Sequence, residues 1–189
     1  MKSSILSRRL EIWGFLLLAG LLAGAAALPG NAPEQDKWAL TAPNGLTFGF
    51  IKDYETYAFV AAHYRSDLQE MHLIFGNPKA MAGYDQGAGQ DGKPFPEGAT
   101  LVKVGYALNS NPNFPASIEP STLRRVEFIT RDSVRFKDTG NWGYARFIHD
   151  PASDTFSPYG KDKDFAQDCF KCHTIVASKD FIFTNLVKR

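Results

Sequence analysis

The chain has 189 residues, 44% of them hydrophobic, with 21 Lys+Arg against 20 Asp+Glu and a formal net charge of +1. That length supports one domain with a real core and calls for no second one. The near-neutral balance excludes a polybasic surface, so neither nucleic acid nor an anionic membrane is expected as a partner.

Residues 1–27 read as a secretory signal. Lys2, Arg8 and Arg9 form a basic start, an apolar run spans 12–27, and Ala25-Ala26-Ala27 offers a small-residue cleavage site before Leu28. The run is shorter than the roughly 20 apolar residues of a spanning helix, which favours cleavage near Ala27 over an uncleaved anchor. Residues 28–189 are expected to form a single domain.

Residues 28–49, rich in Pro, Gly and Asn, read as an extended lead-in anchored by Trp38, with a short helix near 34–40. Alternation then predicts a strand over 56–64, with Tyr57, Phe59, Ala61 and His63 on one face. A second strand over 70–75 sets Met71, Leu73 and Phe75 against His72 and Ile74. Asn77 as cap and Pro78 at the first helical position predict a short helix over 78–84. The glycines and prolines of 87–98 predict an exposed, mobile loop. A third strand over 100–108, a loop over 109–120 and a fourth strand over 123–131 follow. Asp138-Thr139-Gly140-Asn141 is a turn, and 142–149 a fifth strand. Five strands separated by turn chemistry predict an α+β fold, mainly an antiparallel β-sheet with a few short helices.

Near the C-terminus stands Cys169-Phe170-Lys171-Cys172-His173, which contains the only two cysteines of the chain. C-x-x-C-H is the attachment pattern of a c-type haem: two thiols add to the vinyl groups of one porphyrin, and the adjoining histidine reaches the iron. A thioredoxin-type disulfide would want the pair early in a strand–helix–strand unit, which is not the pattern here. A structural zinc would want two further ligands, and His63, His72 and His149 show no suitable spacing. Covalent haem c is therefore the expected cofactor, with His173 as iron ligand. Export agrees with it, because the thiols would be joined to haem outside the bacterial inner membrane, and a periplasmic location is expected.

The late position of the motif argues against an ordinary electron-transfer cytochrome c. No methionine follows His173, and Met71 and Met81 both lie upstream. A four-helix cytochrome would need long helical periodicity that this chain lacks. The pocket must come from a sheet. On the third strand Lys103 shares a face with Leu101, Gly105 and Ala107, a small apolar surface suited to close approach by a flat porphyrin. The alternative is a solvated lysine at a sheet edge. A buried lysine amine would be freed as a nucleophile or hydrogen-bond partner.

Three stretches carry a family resemblance: Gly98-Ala99-Thr100-Leu101-Val102-Lys103, then 136–144 with its Gly140-Asn141-Trp142, then the haem motif followed by Asp180-Phe181-Ile182-Phe183-Thr184. With these the chain resembles the cytochrome P-460 family, including its cytochrome c′-β relatives. The resemblance implies a mostly antiparallel β fold, often a homodimer, around a five-coordinate haem c. It implies that Cys169 and Cys172 hold the porphyrin, that His173 is the proximal ligand, and that Lys103 matches the lysine joined to a porphyrin meso carbon. It further implies either oxidation of hydroxylamine, with electrons passed to a redox protein, or binding of nitric oxide or carbon monoxide without turnover. Simple electron transfer is the third alternative. Hydroxylamine oxidation releases protons, so a pocket base is expected, with Asp154, Asp164, Gln167 and Asp168 as candidates. His72, Arg146 and His149 are read as satisfied core or edge residues rather than site residues.

Overall fold

The computed structural model describes residues 34–188, so the signal-peptide reading over 1–27 lies outside the described residues. Six strands form one antiparallel meander in chain order: β1 (Ala58–Arg65), β2 (Glu70–Gly76), β3 (Thr100–Asn111), β4 (Phe114–Arg131), β5 (Trp142–Asp150) and β6 (Thr155–Pro158). Two α-helices accompany them, α1 (Pro78–Asp85) and α2 (Phe165–His173), with short 3-10 turns between elements. The α+β expectation holds. Among the described residues no helix is long and apolar enough to cross a membrane.

The differences from the expectation have physical causes. The expected loop over 109–120 is instead the tip of a long hairpin, because β3 runs on to Asn111 and pairs with β4 from Phe114. Pro115 and Pro120 are tolerated there because this end of β4 has no neighbour beyond β3, so the missing N–H breaks no central ladder. In β1 the register shifts between Phe59 and Ala61, leaving Val60 as an extra residue. Phe59 then faces Phe75 while Ala61 faces Ile74, so they stand on opposite faces rather than the shared one expected from simple alternation. The loop over 87–98 is exposed over 90–94, as expected, but it is anchored by Phe95, which is buried and set edge-on to Tyr84 and Trp142. Asn77 does cap α1, accepting the Ala80 N–H at 2.8 Å.

One sheet face is the hydrophobic core. Val102, Val104, Val126, Phe128 and Phe147 are buried on it, and the lead-in folds over them. Phe48, from the 3-10 turn Phe48–Ile51, stacks on Phe147 at 4.5 Å. The short helix expected over 34–40 is a single 3-10 turn, Lys37–Ala39. Helix α2 forms where Phe165, Ala166, Cys169, Phe170 and His173 recur at helical spacing, giving one face to the protein and leaving Lys171 out in water.

Candidate functional site

The second sheet face is built from paired rows. Strand register lines up Ala61, Ile74, Lys103, Glu127 and Arg146 across five strands. A neighbouring row holds His63, His72, Gly105 and Arg125, and on the other side Leu101, Ile129 and Tyr144 align. This face does not close on itself. It is one wall of a cavity of about 870 Å³, whose opposite wall comes from α2 and residues 182–184. A volume of that size lies within the ~300–1,000 Å³ typical of cofactor sites.

Lys103, Cys169, Cys172 and His173 all line this cavity. The strand and the helix that supply them are far apart in sequence, and the fold places them face to face. Met71 sits on the face of β2 opposite to His72 and Ile74, the pair that lines the cavity.

His173 is held in a way that fits a metal ligand. Its Nδ1–H donates to the Phe181 carbonyl at 2.6 Å, which leaves Nε2 with its lone pair free. Burial pushes the imidazole below its ordinary value; the Phe181 bond opposes this and Lys103 adds to it, so the ring is neutral near pH 7. Tyr144 and Phe183 pack edge-on against it, each with centroids 5.0 Å away. Cys169 and Cys172 are free thiols, and burial pushes the Cys169 thiol up.

The D-F-x-F-T stretch is the clamp on this histidine. Asp180 is buried and accepts from the Phe95 N–H at 2.8 Å and from Arg131 at 3.0 Å. Phe181 supplies the carbonyl, Ile182 is buried in the core, and the Thr184 carbonyl accepts from the Tyr84 hydroxyl at 3.0 Å. The Gly140-Asn141-Trp142 stretch faces the same clamp. Gly140 has φ +66°, and a Cβ there would come within 2.6 Å of the Phe181 ring and 2.8 Å of the Phe170 ring. Trp142 is fully buried beside them.

Lys103 is neither a lone buried amine nor a solvated edge residue. Its Nζ lies 2.5 Å from Glu127, which also meets Arg146 at 2.8 Å. Burial works to raise the Glu127 pKa, but Lys103, Arg146 and Arg125 outweigh it and hold the carboxyl below its usual range. The network continues: Arg125 pairs with Glu70, and Glu70 lies 3.0 Å from His72 Nε2. The space left by Gly105 is taken by His72 and Arg125, whose atoms stand 3.3 and 3.2 Å from where its Cβ would be. Gly105 thus makes room for this network.

Of the carboxylates that the sequence offered near the cysteines, only Asp168 lines the cavity. Asp154 pairs with His149 at 2.9 Å and is exposed, and Asp164 stands exposed at the start of α2. Gln167 is half-buried on α2 and belongs to an open depression on its outer side. Asp168 reaches the cavity rim but is exposed and pairs with Lys171 at 3.3 Å. The carboxylate inside is Glu127. Its signal was available in the alternation of β4, where Glu127 falls between Val126 and Phe128 on the face that pairs with Lys103. His72 and Arg146 line the cavity, while His149 is turned away to Asp154 and the Leu123 carbonyl.

The cytochrome P460 family model matches residues 51–184, more than half of the chain. The chain belongs to the cytochrome P460 family. No curated protein matches it. Membership makes the chain one of a family of haem c cytochromes, and the residues present fit that group. Two unpaired thiols, a histidine with Nε2 free and a cavity of cofactor size converge. The buried Tyr144 hydroxyl in the same wall has no hydrogen-bond partner among the described residues.

Proposed function

We propose that this cytochrome P460 family member is a periplasmic haem c protein that oxidises hydroxylamine and hands the electrons to a redox protein. The observation that supports this most is the meeting of Lys103 with Cys169, Cys172 and His173 in one cavity. In this reading the two thiols hold the porphyrin, His173 Nε2 ligates the iron, and Lys103 faces the ring from the sheet. Bound haem c would supply the redox-active iron and the open coordination position at which hydroxylamine reacts.

The chain's own residues supply the rest. Glu127, kept ionised by its three cationic neighbours, accepts hydrogen bonds from N–H or O–H groups of a substrate in the cavity. The Phe181 carbonyl keeps the His173 proton on Nδ1, away from the iron-binding nitrogen. Phe183 and Tyr144 fix the ring plane.

A second reading, a nitric-oxide-binding cytochrome of c′-β type without turnover, is favoured by one observation. The Lys103 amine is satisfied by Glu127 at 2.5 Å and needs no bond to a porphyrin. The deciding experiment mixes haem-loaded protein anaerobically with hydroxylamine and an excess of a one-electron acceptor. Repeated acceptor reduction with nitrous oxide or nitric-oxide-derived products supports the oxidase. Tight nitric oxide binding with no acceptor reduction supports the binder, and failure of both removes the proposal.

A further inference from the structure

Asp180 touches neither cysteine nor His173, yet the geometry around the proximal histidine turns on it. The His173 Nδ1–H reaches the Phe181 carbonyl over 2.6 Å. That carbonyl points at the ring because two successive non-glycine residues, Asp180 at φ +50° and Phe181 at φ +64°, both adopt the left-handed conformation. Such a pair is unfavourable for side-chain-bearing residues, so the surroundings must enforce it.

Two devices do so. On one side the buried Asp180 carboxylate accepts from the Phe95 N–H at 2.8 Å and from Arg131 at 3.0 Å, and Arg131 also meets Glu97 at 3.5 Å. On the other side the Phe181 ring drops into the space left by Gly140 and packs on Phe170, with centroids 5.2 Å apart. Phe170 belongs to the helix that carries Cys169 and Cys172.

We infer that Asp180, anchored by Arg131 and Phe95, is a positioning residue that sets the donor strength of His173 toward iron by locking the Phe181 carbonyl on Nδ1. This rests on the reading of His173 as the iron ligand. A short hydrogen bond to a carbonyl restricts imidazole rotation and raises its basicity as a ligand, and losing such a partner typically weakens metal sites about 10–100-fold. Releasing the Asp180 anchor lets residues 180–181 relax out of the left-handed region, and the bond lengthens.

The test is resonance Raman spectroscopy of the ferrous, haem-loaded protein, read at the iron–histidine stretch, together with the reduction potential. Asp180→Gly is the first variant, since glycine keeps the left-handed turn accessible and removes only the anchor. Arg131→Gln is the second, and it leaves residue 180 intact. The expected result is a stretch moved to lower frequency and a potential moved upward in Asp180→Gly, with smaller shifts of the same sign in Arg131→Gln. An unchanged band and potential in a folded Asp180→Gly protein overturn the inference. Should that variant not fold, an unchanged band in Arg131→Gln overturns it. Absence of any iron–histidine band in the unsubstituted protein is a separate outcome, which overturns the ligand reading itself.

Discussion

Replacing Gly140 by Ala tests whether the Gly-Asn-Trp stretch exists to seat the histidine clamp. The backbone there sits at φ +66°, and an added Cβ would stand 2.6 and 2.8 Å from the Phe181 ring and 2.8 Å from that of Phe170. A left-handed non-glycine residue costs about 1–2 kcal/mol. Forcing one methyl into a packed site costs about 1–3 kcal/mol more. The two effects act on one residue and together amount to about 2–5 kcal/mol. For a chain of this size each kcal/mol is worth about 2–4 °C, so the midpoint should fall by roughly 4–20 °C. Thermal and urea unfolding of the purified variant read this directly. Because both rings that must yield flank His173 and the cysteines, the haem-loaded variant should also show a perturbed haem spectrum. A loss below about 0.5 kcal/mol, the range of a neutral surface change, would refute the reasoning.

Other consequences follow from the polar wall. Glu127→Gln leaves Lys103 and Arg146 facing a neutral amide. We expect a loss of about 1–3 kcal/mol in urea unfolding, below the ~3–5 of a fully buried pair because Lys103 is 30% exposed. Stability should fall with acid in two stages. Burial holds His72 and His63 below their ordinary 6.5, and cationic partners hold Glu70 and Glu127 below 4.5 against the opposing effect of burial. Folded pKa values below unfolded ones mean that the unfolded chain takes up protons first. The histidine contribution is thus full above pH 6.5 and is lost as pH falls through the folded values, and the carboxylate contribution follows below 4.5. Urea unfolding at pH 7.5 and 5.5 should show a smaller drop for His72→Gln than for the unsubstituted protein; equal drops would contradict the assignment. Asn77→Ala removes a side chain that accepts from the Ala80 and Thr100 N–H groups and donates to the Gly98 carbonyl. It should cost about 1–2 kcal/mol, and a loss under a few tenths in the same assay would count against the cap.

The sheet was legible because its strands alternate apolar and polar residues between clear turn signals, and the cap at Asn77 because Pro78 follows it. The C-x-x-C-H pattern was legible because haem attachment through two thiols would fix its spacing. Where the reading failed, the cause was long-range. The bulge at Val60 and the extension of β3–β4 past Pro115 and Pro120 depend on which strands lie alongside, which no local pattern states. Phe95 is buried by Tyr84 and Trp142, one just upstream in the chain and one far downstream, so its anchoring of an otherwise exposed loop was not legible. Strand β6 and helix α2 are short, and both rest on packing rather than propensity. The pocket carboxylate was sought near the cysteines in sequence, yet Glu127 reaches Lys103 only through the register of two strands. Asp180 was legible as part of a motif, but its role was not, since its partners Phe95 and Arg131 come from distant segments.

The measurement that bears most directly on the account is peptide mass spectrometry of the haem-loaded protein after proteolysis. The account predicts one haem mass on the peptide containing Cys169 and Cys172, with the Lys103 peptide joined to the same group. Haem on the cysteine peptide with Lys103 free would move the protein to the nitric-oxide-binding reading, and a cysteine peptide without haem would contradict the account at its base.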